Sequence, residues 1–469
     1  MGKIISSIIL LTCSILLLYM NRKYRKSCLS KVHLYGVNAF FFDLFFDVPF
    51  FVYITNYLFP VCTHIIFGYS VLQESGITPL ELTQVYIVET LSWWIFYHTF
   101  YIMCKKNKGA VSYKMQKGRG IEIITTFILL LYIVSRISTL GKLEEKPSEW
   151  EQRFFFILPF VNLVGYMLAI FITFGGKKYF STYVWFLSLV ATGVFFLGAF
   201  LGGIRGAIVN PIVWAAYVVY KMRLQSIRKW YFLFFGVVLV GFSLIQPIFM
   251  GFRSMNAEEI SLNEKMETAK LIANNRYMQN TDSRYETRNI FHEMDFRYGA
   301  EGMYTVGFYR LVDLDGFVGL NCILNSFYTF MPSMLVGTDK PVSTSSDGTL
   351  YGMGMYKCVN AIDGSENMCG FFTSGHAYWE FGIIGVILFS IIPALFDFFC
   401  IRLFSRMDMI GLPLYTAIFM KAYTCMKMWV SLIVVEFAQI ILPVILLIIF
   451  YQFMSNGKKV IFIRRKVSL

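Results

Sequence analysis

The sequence predicts an all-α polytopic membrane protein with about eleven transmembrane helices and one large external loop domain. Three observations predict it. Of the 469 residues, 57% are hydrophobic and 15% charged, with a mean hydropathy of +0.58; soluble domains run nearer half apolar and a quarter charged. The apolar residues gather in blocks of spanning length. The Lys and Arg residues gather in short clusters between those blocks, and the 18% aromatic content suits helices whose ends carry interfacial rings.

A spanning helix takes about 20 mainly apolar residues. Blocks of that kind lie at roughly 4–20, 38–68, 80–102, 121–140, 154–174, 180–201, 206–220, 230–250, 377–400, 410–429 and 434–454. The second is long enough to tilt or to include an interfacial piece, and the last two are separated on length. The first block is followed by the charged run NRKYRK instead of being preceded by one, and it has no small-residue cleavage site. It is therefore expected to stay as a first membrane helix with its N-terminus outside. The opening MGKIIS also fits the short myristoylation pattern, which adds little in a chain that already spans the bilayer.

The basic clusters orient the blocks. Arg22, Lys23, Arg25, Lys26 and Lys31 follow the first block, and Lys105, Lys106, Lys108, Lys114, Lys117 and Arg119 the third. Lys177 and Lys178 follow the fifth, Lys221, Arg223, Arg228 and Lys229 the seventh, and Arg402 and Arg406 the ninth. Lys458, Lys459, Arg464, Arg465 and Lys466 form the tail. Every cluster follows an odd-numbered block, so all fall on one side, the cytoplasmic one. The net charge of +13 then expresses topology, and no nucleic acid is expected as a partner.

This topology puts residues 251–375 outside, too long for an ordinary connection. The expected division is an N-terminal membrane bundle over 1–250, an external domain over 251–375, and membrane helices with a basic cytoplasmic tail over 376–469. Residues 257–273 have helical spacing, and the later part of the segment is rich in Gly, Ser and Asp. The nine Cys include no CxxC pair, which argues against zinc and thioredoxin-type sites. Cys358 and Cys369 are either a disulfide or two free thiols.

Several residues carry candidate chemistry. In the run 276–310, Arg284, Arg288, Arg297 and Arg310 interleave with Tyr, Phe, Asp and Glu. Arg binds phosphate through two parallel hydrogen bonds, and aromatic rings suit the apolar faces of sugars; surface ion pairing is the alternative. Arg205, in FLGGIRGAIVNPIVW, stands between two apolar blocks at the outer edge, where a charge is costly unless it faces a cavity, a partner or the headgroups. Asp43 and Asp47 fit an interfacial structural role, while Lys421 and Lys427 fit ion pairs or ligand contacts equally. His376, at the start of the ninth block, has the side chain best suited to accept a proton near neutrality, although a lone His is more often structural.

Three stretches together resemble one family, the bacterial oligosaccharide repeat-unit polymerases of O-antigen and capsular polysaccharide. FLGGIRGAIV is similar to the Gly/Arg-Gly turn that opens a central helix there. FYTFMPSMLVGTDKP is similar to the external stretch ending in Lys-Pro, and SGHAYWEFGIIGVIL to the opening of the following helix. The order and layout match over nearly the whole chain. Ser333 stands where the family often has Arg, His376 where it has Glu, and Glu380 where it has Asn; an Arg-x10-Gly spacing occurs at Arg288 and Gly299.

The resemblance implies a metal-independent glycosyltransferase of GT-C-like architecture, without cofactor, in the bacterial cytoplasmic membrane with its large loop outside. Its partners would be undecaprenyl-diphosphate-linked oligosaccharides, membrane lipids and a chain-length regulator protein. A sugar hydroxyl would attack an anomeric carbon as diphosphate departs. The resemblance gives His376 the role of base, and Arg205, Arg284, Arg288, Arg297, Arg310, Lys340 and Tyr378 those of diphosphate and glycan binding. An O-antigen ligase and a polysaccharide flippase are the alternatives; the external His-Asn motif of ligases is missing, and no internal repeat of the transporter kind is found.

Overall fold

The structure, a computed structural model, describes residues 2–29, 45–47, 49–50, 52–69, 72–73, 76–106, 119–138, 157–176, 180–201, 290–320 and 372–404. These residues form helices and their turns, with no strand among them. In chain order the helices are α1 (Gly2–Leu29), a π-helical turn (Ile54–Leu58) leading into α2 (Phe59–Ile66), α3 (Pro79–Lys106), α4 (Arg119–Ser138), α5 (Ile157–Phe171), α6 (Thr182–Leu201), α7 (Ile290–Asp315) and α8 (Thr373–Phe404). The predicted blocks at 206–220, 230–250, 410–429 and 434–454, and the predicted helix at 257–273, lie outside the described residues.

Two helices, Gly2–Leu29 and Thr373–Arg402, are long and apolar enough to cross a membrane. A helix rises about 1.5 Å per residue, so each exceeds the roughly 30 Å of a hydrocarbon core. Their apolar residues are not all used in packing. Ile4, Ile8 and Ile15 of α1 stand exposed, as do Ile384, Leu388 and Phe399 of α8.

The chain divides into two compact units. One contains α4, α5 and α6. Gly165 of α5 gives the Tyr132 ring of α4 its space, since a Cβ there would lie 2.6 Å from it. Ser135 donates to Asn162 at 3.1 Å, and Tyr166 stacks on Phe195 with centroids 4.9 Å apart. A second π-helical turn, Ile172–Gly176, ends α5, and its Thr173 carbonyl accepts from the Trp185 indole at 3.4 Å.

The other unit contains α1, α2, α3, α7 and α8. The start of α3 is written in TPLE. Thr78 N donates to Glu81 Oε2 at 2.8 Å and Glu81 N to Thr78 Oγ1 at 3.3 Å, a reciprocal capping box, with Pro79 at the first helical position. Lys105 and Lys106 end it, where cations offset the helix dipole. Asn21 of α1 donates to Tyr97 at 2.8 Å, and Tyr24 stands 6.1 Å from Tyr101, so α1 and α3 run parallel. Ser92 and Ser390 share a hydrogen bond of 2.7 Å, and Phe100 lies 5.9 Å from Phe398, so α8 runs parallel to α3 as well. Arg22, Lys23, Lys26, Lys105, Lys106 and Arg402 therefore gather at one end of the bundle.

At the opposite end lies α7, a helix of 26 residues within the segment predicted to lie outside. Met303, Tyr304, Val306, Phe308 and Leu311 are buried, and small residues let the helix approach its neighbours. A Cβ on Gly302 would meet Leu82 at 3.2 Å, and one on Gly299 would meet the His64 ring at 3.0 Å. Gly316, at φ +79°, closes the helix by donating to Val312 at 3.0 Å.

Candidate functional site

The site is built where α7, the first turns of α8, the outer half of α3 and the π-helical turn meet. The segment Thr373–Phe404 is broken at Phe381 and Gly382. Gly382 has φ +63° and ψ −147°, a conformation reserved for glycine, and a Cβ there would lie 3.1 Å from the Phe317 ring. A break frees carbonyls at the end of the first piece. The turn after α7 takes them: Val318 N donates to Trp379 O at 3.1 Å and Gly319 N to Glu380 O at 3.0 Å. Thr305 Oγ1 accepts from Phe372 N at 2.8 Å, so α7 holds both ends of the short helical piece 373–380.

Two carboxylates face this junction through adjacent residues of the π-helical turn. Asn56 Nδ2 donates to Glu301 Oε2 of α7 at 2.9 Å, and Tyr57 OH donates to Glu89 Oε1 of α3 at 3.0 Å. π-Helical turns recur at functional sites because the extra residue re-aims side chains. Glu89 is fully buried and also accepts from Ser374 N at 3.2 Å, which places its carboxyl group at the first turn of α8. The Tyr57 ring stacks on Phe372 with centroids 4.4 Å apart, and Trp93 donates to Tyr57 OH at 3.3 Å. Glu301 belongs to the segment predicted to lie outside. Burial pushes its carboxyl up to about 7, against the pull of the Asn56 hydrogen bond, and the neighbouring charge of Glu89 adds to the rise.

The predicted site residues divide. His376 is 1% exposed, ringed by Phe308 and Trp379, with Nδ1 3.2 Å from Glu380 Oε1. His376 and Glu380 thus face each other one helical turn apart. Tyr378 stacks on Tyr309 of α7 with centroids 4.2 Å apart, and the Tyr309 hydroxyl is buried without a hydrogen-bond partner among the described residues. Arg310 donates from Nε to Glu81 at 2.9 Å and from Nη2 to the Gly76 carbonyl at 2.7 Å, the ion-pair alternative for that residue. Arg297 lies in α7, its side chain outside the described residues, as are Arg205, Arg284, Arg288 and Lys340. So are Cys358, Cys369, Lys421 and Lys427. Asp47 pairs with Arg25 at 2.7 Å, the structural role expected of it, while Asp43 lies outside the described residues. No group of three metal-ligating side chains occurs among the described residues.

Glu89, Glu301, Asn56 and Tyr57 escaped sequence reasoning. Glu89 had a signal, since it is the one carboxylate in the apolar run between Leu82 and Cys104. Glu301 had none, lying in a run already crowded with charges.

No family model, curated protein or solved structure matches the chain.

Proposed function

We propose that the chain is a multi-pass glycosyltransferase of the cytoplasmic membrane that polymerises lipid-linked oligosaccharides at its outer face. The donor would be a glycan on undecaprenyl diphosphate and the acceptor a lipid-linked repeat unit. One observation carries this reading. SGHAYWEFGIIGVIL, the stretch similar to the family's helix opening, breaks at Gly382, and its first piece closes with α7 around Glu89 and Glu301. This junction lies at the end of the bundle away from the Lys and Arg residues, the end a positive-inside orientation turns outward. The Tyr309–Tyr378 stack adds rings of the kind that receive sugar faces. Arg205, Arg284, Arg288 and Arg297 remain the proposed holders of the diphosphate. The exposed apolar faces of α1 and α8 support the membrane reading, as contiguous apolar surface is rare on proteins in water.

Gene deletion tests the reading. It should leave single lipid-linked repeat units at the outer face and abolish the ladder of long chains. Long chains that persist without attachment to lipid A core would favour the ligase. A second reading has its own observation: a broken helix beside buried carboxylates is a transporter feature. Accumulation of single units on the cytoplasmic face alone would select it.

A further inference from the structure

We infer that Glu301 is the general base that takes the proton of the attacking sugar hydroxyl; this rests on the glycosyl-transfer reading above. The resemblance pointed to His376 for that role, but a side chain 1% exposed and packed between Phe308 and Trp379 does not meet a hydroxyl from outside. Glu301 is only half-buried, on the helix that closes the junction. Asn56 anchors Oε2, while Oε1 accepts no hydrogen bond from the described residues. Tyr309, two helical turns further along α7, stacks on Tyr378 of α8.

In the step, the hydroxyl oxygen forms the new bond to the anomeric carbon and its proton passes to Glu301 Oε1. The bond from the anomeric carbon to the diphosphate oxygen breaks, and its electron pair leaves on the diphosphate. A base works best with a proton affinity near the operating pH, and both burial and the charge of Glu89 raise that of Glu301 toward neutrality. Besides Glu89, the titratable groups that face α7 are Glu81 and Tyr86 of α3, His64 of α2, Tyr57 of the π-helical turn, and His376, Tyr378 and Glu380 of α8. Glu81 is engaged by Arg310, so Glu89 is the neighbour whose removal tunes the base.

The test uses the purified full-length protein in liposomes with lipid-linked repeat units, assayed for chain growth from about pH 5 to about pH 9. Glu301→Gln should lower turnover on the order of a hundred- to ten-thousandfold with KM little changed, the range of a lost general base. Glu301→Asp should retain part of the rate. Glu89→Gln should move the acid limb of the pH profile to lower pH, because removing a nearby negative charge favours the ionised base. Wild-type turnover and pH profile in Glu301→Gln would overturn the assignment and leave the glycosyl-transfer reading standing. A loss confined to KM would also overturn it. Absence of chain growth by the wild type would overturn both.

Discussion

At the scale of the residue, the site turns on which polar groups an apolar bundle keeps and how each is held. Glu301 gives the cleanest consequence. Its carboxyl is raised to about 7 in the fold, above the ordinary 4.5, so the fold binds its proton more tightly than the unfolded chain does. Its stabilising effect is complete below about pH 4.5 and is lost as pH rises through about 7, a difference of at most about 3 kcal/mol. Glu301→Gln should therefore melt above the wild type at pH 8 and close to it at pH 5, in one detergent. Equal melting temperatures at pH 8 would contradict the raised carboxyl. Little of this was legible in the sequence. His376 and Glu380 stood out against a family pattern, but their mutual approach needed the helix that joins them. Arg310 stood open between phosphate binding and ion pairing because a charge in a sequence shows no partner, and its partner Glu81 lies 229 residues away.

At the scale of the element, the apolar blocks at 4–20, 80–102, 121–140, 154–174, 180–201 and 377–400 each overlap a described helix, while 38–68 yields only the π-helical turn and the short α2 besides a few helical residues. The block at 80–102 became Pro79–Lys106, its start marked by TPLE and its end by two lysines. The block at 4–20 became Gly2–Leu29, because helical hydrogen bonding continues through NRKYRK after apolarity stops. Lys and Arg are good helix formers and extend their charged ends to water. α7 was not legible: it packs on α2, α3, α8 and the π-helical turn and faces solvent in part, so its apolar residues show no clean helical period. The break in α8 left only a glycine in an apolar run as its trace. Gly382→Ala should cost about 1–3 kcal/mol from backbone conformation, with added crowding against Phe317, and loosen the seat of α7. Faster proteolysis after Arg310 in the variant would report this; wild-type melting and cleavage would contradict the assigned break.

At the scale of the whole molecule, the alternation of basic clusters and apolar blocks carries the topology. Within the unit that holds α1, α3 and α8, the structure brings three of those clusters to one end without reference to a bilayer. Reporter fusions at residue 110 should accordingly be cytoplasmic and those at residue 345 external; an external signal at residue 110 would invert the orientation. The proposed chemistry rests on resemblance, because a bundle of apolar helices is shared by transferases and transporters alike. What separates them is whether a bond is made. The most direct measurement adds undecaprenyl-diphosphate-linked repeat units to the purified protein in liposomes and follows both glycan length and leaflet. The account predicts a ladder of products longer than one repeat, with free undecaprenyl diphosphate released at each addition. Repeat units that keep their original length while crossing to the other leaflet would contradict it.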